Sequence, residues 1–468
     1  MISGRKEPII LPCSAPIGIL LSKLKNFRLY FNTFVLTRGF LAALSGSAYM
    51  YLDHFGFSLP WLNTLLGLVW LWLLLSSGRA VWASAGFFTG IFWFWWIALS
   101  FNHYHMPWAI PFVLLFIGTG YGLIFWTIAW IAEKFSSTLI EWVYPPKIQH
   151  QIRSVVGKPA LPVLVLKALG LFILSYIHPF GFDWFKPELV FVASDLGIYK
   201  WQFALVLFAM VLSLWKRQLL FLSLILLAWQ PLPDTAAALP KNIALATTHT
   251  SVEEKWDKTQ HPSQFKAILT RIDRAIDNHK SLIILPESIF PLFLNYDRKC
   301  MAQLKRRAKK IAMVLGGLYW DGKTPRNSAY IFTRDGKIRI ANKVLLVPFG
   351  EANPLPDFLS DWVNRIFYDG AIDYKADAHV TDYTIDGITY RNAICFEATS
   401  ERLYEGKPKH MIVLSNNGWF TPSIEPTLQK LLLQYYSRKY GTTIYHAVNM
   451  SPSYVVVSGT AVMTAPAP

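Results

Sequence analysis

The amino-acid sequence predicts two structural parts, a bundle of transmembrane helices and a layered α/β sandwich outside the membrane. Hydrophobic residues make up 53% of the 468 residues and charged residues only 16%, a balance that is unusual for a soluble protein of this length. Long apolar stretches fill the chain up to about residue 230, whereas short apolar runs alternate with amphipathic segments from residue 242. This change predicts domains at residues 34–230 and 242–468, joined by a Pro-rich linker at 231–241.

The first part contains seven apolar stretches that we interpret as membrane spans. Several are shorter than the roughly 20 residues that a helix needs to cross about 30 Å of hydrocarbon, so their ends must extend into flanking aromatic residues. The last two are joined only by Lys216 and Arg217 and could instead form a re-entrant or interfacial hairpin. The seven stretches are residues 34–51, 59–75, 85–99, 108–132, 159–177, 201–215 and 218–229.

Basic residues predict the orientation of the spans. They collect before the first span and in alternate loops, as in cytoplasmic loops, whereas the intervening loops carry only Lys186 and Lys200. Lys167 falls inside the fifth stretch, so it snorkels, faces the bundle interior or marks a later start of that helix. Seven spans that begin in the cytoplasm place residues 242–468 outside it. Residues 1–33, whose apolar stretch is too short to span, are predicted to be a cytoplasmic or interfacial segment.

The net charge and the cysteines exclude several classes of protein. The charge of +16 does not indicate nucleic-acid binding, because the basic residues before residue 220 are separated by apolar stretches and no DNA-binding motif accompanies them. Cys13, Cys300 and Cys395 are too few and too scattered for a disulfide framework or a zinc site. His103 and His105 have no third ligand close in sequence, and we interpret them as boundary histidines. We expect no nucleic-acid partner, no metal and no cofactor.

The second part has the pattern of strands alternating with helices. Its nearly continuous apolar runs predict strands that are buried on both faces, and Asp-Gly turns at 335–336 and 386–387 predict hairpins. Such an alternation is typical of a layered α/β sandwich. The predicted strands are residues 242–247, 281–285, 312–318, 392–396 and 411–415, and the predicted helices are residues 263–278 and 298–310.

Three residues of complementary chemistry lie where predicted strands end: Glu287, Lys343 and Cys395. Partial desolvation makes a carboxylate a better proton acceptor, and a fixed ammonium can stabilise an oxyanion or help to keep a thiol ionised. A cysteine needs such a base and such a cation to be an efficient nucleophile at neutral pH. Each residue alone is explained as well by an ordinary loop carboxylate, a solvated lysine or a small buried side chain, so their order and flanks decide the interpretation.

That order resembles the nitrilase superfamily, in which a strand-end Glu, a Lys in a K-x4-PFGE segment and a Cys in I-C-[FY]-E follow one another. Together with a multi-span bundle, the segments LPES, KVLLVPFGE, ICFEA and LSNNGWF resemble the apolipoprotein N-acyltransferase family. The resemblance covers nearly the whole chain. It implies a nitrilase-like α-β-β-α sandwich on the periplasmic side of the bacterial cytoplasmic (inner) membrane. The sequence differs from that family at Phe396, where Tyr is common, and ends at Pro468 before a final transmembrane helix.

The resemblance also implies roles for individual residues. Glu287 would be the general base, Lys343 the cation that stabilises the oxyanion, and Cys395 the nucleophile. Supporting or substrate-binding positions would be Glu351 beside the lysine, Asn327 in an N-S turn, Glu397 just after the cysteine, Trp256 on a mobile arm, and Trp419 and Phe420, which line an acyl pocket or simply pack in the core.

The reaction implied by the resemblance has two steps. Cys395 would attack the sn-1 ester of a phospholipid, expected to be phosphatidylethanolamine, to give a thioester and a lysophospholipid. The amine of diacylglyceryl-cysteine at the N-terminus of an apolipoprotein would then take the acyl group. We expect a monomer surrounded by membrane lipids.

Two alternatives remain open at this point. A membrane-attached nitrilase-type amidase or hydrolase would use water as the acceptor. A noncatalytic lipid-binding or scaffold protein would keep the fold and would tolerate loss of Cys395.

Overall fold

The computed structural model describes residues 32–143, 161–178, 182–233, 240–348, 350–351 and 374–463. The part up to residue 233 is helical, and each of the seven apolar stretches coincides with a helix, as the sequence predicts. The α-helices are α1 (Thr33–His54), α2 (Pro60–Leu75), α3 (Arg79–Phe94), α4 (Ser100–His103), α5 (Ile110–Val143), α6 (Leu161–Leu174) and α7 (Lys200–Lys216). Further 3-10 helices cover Trp95–Leu99, Pro107–Ala109, Pro187–Phe191 and Leu219–Ala228.

Two segments of the bundle, Arg79–His103 and Pro107–Ser136, are long and apolar enough to cross a membrane. They contain α3 and α5 and correspond to the third and fourth predicted spans. Pro60–Leu75, Leu161–Leu174 and Leu219–Ala228 are apolar but shorter. The count of seven spans and their orientation therefore stay predictions. Most of the predicted N-terminal segment and of the linker lies outside the described residues.

The last candidate span folds back along α7. Leu219–Ala228 is a 3-10 helix of 10 residues, which at about 2 Å per residue covers about 20 Å, less than the hydrocarbon thickness. Arg217, with a φ of 56°, separates it from α7. At its far end the N–H of Gly197, just before α7, donates to the carbonyl of Ala228 at 2.8 Å. This segment thus has the form of the hairpin that is the alternative to two spans.

Lys167 faces the bundle interior, which decides among the three options for this residue. Its side chain is buried, and its Nζ donates to the carbonyl oxygen of Ser77 at 2.7 Å. The Glu133 carboxylate lies 3.7 Å from the same nitrogen. A charge inside an apolar bundle requires such partners because its desolvation is otherwise uncompensated.

The part from residue 240 contains two six-stranded sheets. The first has the order β1-β2-β4-β5-β6, with β3 also paired to β4, and the second has the order β12-β11-β10-β9-β8-β7. The first sheet consists of β1 (Ile243–Leu245), β2 (Leu282–Ile284), β3 (Phe290–Phe293), β4 (Ala312–Trp320), β5 (Pro325–Phe332) and β6 (Ile338–Asn342). The second consists of β7 (Asp382–Ile385), β8 (Ile388–Ile394), β9 (His410–Asn416), β10 (Thr443–Asn449), β11 (Tyr454–Val457) and β12 (Thr460–Met463).

The sheets and helices form four layers. The α-helices of this part are α8 (Val252–Trp256), α9 (His261–Asp277), α10 (Arg298–Ala308) and α11 (Glu425–Tyr440). Helices α9 and α10 share an apolar cluster with the outer face of the first sheet, as with Ile272 and Met313. A second cluster, which includes Val314 and Leu414, joins the inner faces of both sheets. The predicted α-β-β-α sandwich is confirmed.

Helix α11 lies between the second sheet and the bundle. Leu432 belongs to an apolar cluster that contains residues of β9 and many bundle residues. Polar contacts join the same two parts: Tyr435 donates from its hydroxyl to the Glu188 carboxylate at 2.9 Å, and Lys430 lies 2.6 Å from the carboxylate of Asp53. The core of the bundle therefore continues into the α-β-β-α sandwich.

The predicted strands, helices and hairpins all appear in the structure at nearly the predicted positions. The exception is the strand predicted at 392–396, which ends at Ile394 because Cys395 has a φ of 53°. A left-handed residue interrupts the extended backbone. Strands β10 to β12 complete the second sheet. These three strands and helix α11 were not predicted from the sequence.

Candidate active site

Glu287 lies just after β2, and a glycine on the neighbouring strand makes room for it. Ser288 has a φ of 47°, so the chain turns sharply after the glutamate. A Cβ atom at Gly316 of β4 would stand 2.6 Å from the Glu287 Cα and 2.5 Å from the Ser288 nitrogen. Only glycine permits this approach. The Glu287 side chain is thereby held in a buried position.

Lys343 follows β6 and is fixed between two carboxylates. Its Nζ lies 2.7 Å from Glu351 and 3.7 Å from Glu287, and its side chain is 1% exposed. Burial alone would lower the pKa of the lysine, but Glu351 and Glu287 outweigh burial and hold that pKa well above its ordinary value. The ammonium is therefore permanent at neutral pH. The turn after Lys343 returns a second carboxylate towards the lysine, as the sequence predicts.

Asn327 joins the two carboxylates. Its Nδ2 donates to Glu287 Oε1 at 2.8 Å and to Glu351 Oε1 at 2.7 Å. The residue lies in β5 and not in a turn, so that part of the expectation is wrong. The strand position holds the amide rigidly, because the Lys343 N–H also donates to the carbonyl of Asn327 at 2.9 Å.

Cys395 follows β8 and starts the 3-10 helix Cys395–Thr399. Burial raises the pKa of its thiol, the Glu287 charge adds to this rise and Lys343 opposes it, so that the pKa lies well above its ordinary value. Lys343 favours the ionised thiol, as expected, but in this resting structure the desolvation of the thiolate costs more than the cation returns. A proton acceptor must act before the sulfur can attack.

Glu397 connects the segments that carry the lysine and the cysteine. It is 1% exposed, and one of its oxygens accepts the N–H groups of Val344 and Leu345 at 2.7 and 3.2 Å. The other accepts the N–H of Ile394 at 2.7 Å. Burial raises the pKa of Glu397 to about 7, although Lys343 and these hydrogen bonds oppose the rise. Glu397 thus fixes the end of β8 relative to the segment that follows β6. Its hydrogen bonds go to main-chain N–H groups and not to the Cys395 thiol.

Aromatic side chains fill the space between this site and the bundle. Phe396, next to the cysteine, stacks on Phe182 with ring centroids 5.3 Å apart. Phe420 packs against Trp96 at 4.8 Å, and Trp419 stacks on Tyr104 at 5.9 Å. Trp419 and Phe420 are half-buried, and Phe420 packs against the apolar cluster that joins the two parts. Whether they line an acyl pocket or pack in the core stays open at this point.

His103 and Trp256 lie on the outer side of this junction. His103 Nδ1 is 3.0 Å from the Glu253 carboxylate of α8, and its ring packs edge-on against Trp419 at 5.2 Å. Trp256, at the end of α8, is 42% exposed. The end of α4 therefore contacts the short helix that carries this tryptophan, and the interpretation of His103 as a boundary histidine stays a prediction.

Two buried ionisable residues at the site were not found from the sequence. Lys255 of α8 is 2% exposed, and its Nζ donates to the Glu287 carbonyl oxygen at 3.4 Å. Glu425, in the first turn of α11, is 2% exposed. Their charges act on Cys395 or on Glu287. The sequence offers only weak signals for them, since lysine and glutamate on short helices usually face solvent.

Within the described residues, no group of three or more His, Cys, Asp or Glu side chains could hold a metal ion. The site consists of a thiol, carboxylates and an ammonium. These groups suffice chemically for attack by sulfur on a carbonyl carbon with transfer of the thiol proton.

A helical membrane part is joined to an α-β-β-α sandwich in which a carboxylate, a lysine and a cysteine follow strands β2, β6 and β8. This is the organisation that the resemblance to membrane-bound enzymes of the nitrilase superfamily implies. Residues 33–231 match the family model of the apolipoprotein N-acyltransferase integral membrane domain. The chain is 40% identical over 419 residues to the apolipoprotein N-acyltransferase of Wolinella succinogenes, covering 88% of this chain and 94% of the relative. It is 32% identical to that of Helicobacter pylori, covering 91% and 95%. The chain belongs to the apolipoprotein N-acyltransferase family and is an acyltransferase of the membrane.

The chain is also similar, at lower identity, to solved structures. A CN-hydrolase superfamily protein from Xanthomonas campestris has a TM-score of 0.37 and 16% identity, covering 48% of this chain and 86% of that one. A carbon-nitrogen hydrolase from Helicobacter pylori has a TM-score of 0.36 and 13% identity, covering 47% and 84%.

Proposed function

We propose that the protein transfers an acyl chain from the sn-1 position of a phospholipid, through a thioester on Cys395, to the amine of diacylglyceryl-cysteine on an apolipoprotein. The grouping of Glu287, Lys343 and Cys395, in which Lys343 lies 3.7 Å from Glu287 and both charges act on the thiol, carries this proposal. Membership of the family supports the same acceptor, since its relatives bear the name of apolipoprotein N-acyltransferases. Phosphatidylethanolamine is the donor that we propose.

In the first step, Glu287 takes the proton of the Cys395 thiol, and the sulfur attacks the ester carbon. The negative charge that develops on the ester oxygen is stabilised by the Lys343 ammonium, which is already in place and needs no reorganisation. Collapse of the tetrahedral intermediate breaks the bond between carbon and the glycerol oxygen. Glu287 then returns its proton to this oxygen, so that a lysophospholipid leaves and the thioester remains.

In the second step, the free amine of the acceptor attacks the thioester carbon. Glu287 takes one proton from the attacking nitrogen, and the carbon–sulfur bond breaks. The same proton passes to the departing thiolate, which the raised thiol pKa favours. The products are an N-acylated lipoprotein and the original thiol, so that the Glu287 carboxylate is ready for another turnover.

The supporting residues act by holding these three groups. Glu351 accepts the N–H of Val347 at 2.9 Å and pairs with Lys343 at 2.7 Å, so it keeps the ammonium aimed at one place. Trp419 and Phe420 would line the acyl chain at the junction with the bundle, and Trp256 would cover the site from α8. We propose that this site lies on the periplasmic side of the cytoplasmic membrane, with the domain boundaries at 34–230 and 242–468, and that the protein acts as a monomer.

The test is an incubation of the purified full chain with phosphatidylethanolamine, with and without a diacylated lipopeptide. Phospholipid alone should add one acyl group to Cys395, which mass spectrometry of the intact protein and of its peptides detects. Adding the lipopeptide should remove this adduct and yield N-acyl lipopeptide. Free fatty acid as the only acyl product would instead show a hydrolase that uses water.

Cysteine variants provide a matched pair for this experiment. Cys395→Ala should form no adduct and no product. Cys300→Ala should react like the unaltered protein, because Cys300 is a buried residue of α10 and burial raises the pKa of its thiol to about 12. Product formation by Cys395→Ala, or an acyl adduct on Cys300, would contradict the proposal.

A further inference from the structure

We propose that Lys255 removes the first proton from the acceptor's α-ammonium group and so prepares the amine that attacks the thioester. This role rests on the proposed two-step transfer, in which Glu287 handles the second proton.

Lys255 points into the site, whereas its neighbours on the same helix point away. Glu253 and Glu254 are exposed and Trp256 is 42% exposed, but Lys255 is 2% exposed. Its Nζ donates to the main-chain carbonyl of Glu287 at 3.4 Å. Lys255 therefore approaches the reaction centre from α8, whereas Lys343 approaches it from the segment after β6.

The two lysines of the site have different partners and therefore different proton chemistry. Lys343 lies between two carboxylates, whereas the one hydrogen bond recorded for Lys255 Nζ goes to a neutral carbonyl. Burial lowers the pKa of Lys255 to about 8, although the charges of Glu287 and Cys395 oppose this shift. Lys343 stays charged, but Lys255 can gain and lose a proton near neutral pH.

The groups around Lys255 come from several elements. Glu287 follows β2, Cys395 follows β8, and the ring of His261 in α9 lies 3.2 Å from the Lys255 carbonyl, not from its amine. Of these, Glu287 and Cys395 act on the ammonium. The Cys395 thiol is uncharged at rest, because its pKa is raised, and the thioester is uncharged as well. Glu287 is therefore the charge that acts on Lys255 both before and after acylation.

The second step needs a base in addition to Glu287. An α-amino group has a pKa of about 8, so at pH 7 about nine-tenths of the acceptor is ammonium, which has no lone pair. One proton must leave before attack and another during attack. If Glu287 took the first, it would already be protonated when the tetrahedral intermediate formed. Lys255 is itself mostly charged at pH 7, but its neutral fraction can take the first proton in a nearly balanced transfer, because donor and acceptor have similar pKa values, and it can later release this proton to water.

The test separates the two steps in the full-length protein. The thioester is first formed with phosphatidylethanolamine alone, and diacylated lipopeptide is then added in single-turnover experiments from about pH 6 to about pH 9. Lys255→Met should slow aminolysis at pH 7 severalfold, because the site then lacks the amine that takes the ammonium proton before attack. The difference should narrow above pH 8. Thioester formation should fall much less, and its retention shows that the variant is folded.

Two further variants distinguish proton transfer from charge or packing. Lys255→Arg keeps a long cation but cannot release its proton, so it should be as slow as Lys255→Met in aminolysis. Lys258→Met, three residues further on and exposed, should match the unaltered protein in both steps. Rescue by arginine, or an equal loss in both steps at every pH, would overturn the role of Lys255. Absence of any thioester in the unaltered protein would instead overturn the proposed function itself and this role with it.

Discussion

Replacement of Glu425 by glutamine is expected to stabilise the protein in a pH-dependent way. Glu425 is 2% exposed, and its Oε2 has no hydrogen-bond partner among the described residues. Burial, with the nearby Glu287 charge, raises the pKa of Glu425 to about 8 from an ordinary value of 4.5. Glutamine has nearly the same shape and no charge, so it leaves the packing of α11 intact while it removes the titration.

The size of the effect follows from the two pKa values. Below pH 4.5 both the folded and the unfolded protein hold the proton, so the neutral carboxyl contributes its full stability. As the pH rises from 4.5 towards the folded pKa of about 8, the unfolded chain ionises while the folded carboxyl keeps its proton, and this stability is progressively lost. At pH 7 the loss is about 3 kcal/mol, from about 1.4 kcal/mol for each pH unit above the unfolded pKa. The charged form is favoured by the helix N-terminus, which makes this value an upper bound.

The assay is thermal unfolding of the purified protein and of Glu425→Gln across pH 4.5 to 8. The melting temperatures should coincide at the acid end, and the variant should melt at an increasingly higher temperature as the pH rises. Glu405→Gln, an exposed residue of the same domain, should show no such trend. A difference that does not vary with pH, or a variant that is less stable at pH 7, would refute the assigned protonation state of Glu425.

Three other substitutions test the geometry of the site. Glu397→Gln places an amide donor against main-chain N–H groups, so it should lower the free energy of unfolding by about 1–3 kcal/mol and slow thioester formation. The melting temperature measures the first effect, and the rate of adduct formation measures the second. Lys343→Met leaves two buried carboxylates without their cation, which should cost about 3–5 kcal/mol and abolish the adduct in mass spectra, whereas an active variant would contradict the role of the ammonium. Gly316→Ala would put its Cβ 2.6 Å from the Glu287 Cα, so the base should shift and the rate of adduct formation should fall while Cys395 remains alkylatable by a small reagent.

The sequence predicts the parts of the site that depend on local structure. Glu287, Lys343 and Cys395 each follow a strand, and strand ends are fixed by apolar runs and turns that are visible in the chain. The PFGE segment places Glu351 only eight residues beyond Lys343, so their contact also arises locally. The arrangement of these residues was therefore accessible without coordinates.

Other features depend on which face of an element is buried, and the sequence does not determine this. Lys255 lies on a helix of five residues, too short to show an amphipathic period. Helix α11 is buried on most of its faces, so its apolar residues have no clear helical periodicity and the helix was missed. The raised thiol pKa of Cys395 likewise arises from desolvation and from the Glu287 charge, which segments distant in sequence bring together.

The position of α11 has a consequence for attempts to obtain the catalytic domain alone. The rings of Tyr435 and Tyr436 are buried against the bundle side of this helix, and aromatic side chains of this kind each remove on the order of 150–250 Å² from water. A fragment that begins near residue 242 would expose these rings together with the apolar side chains that α11 contributes to the shared cluster. Such a fragment would need detergent or a new partner to remain in solution, and the two parts of the chain are best regarded as a single unit of folding.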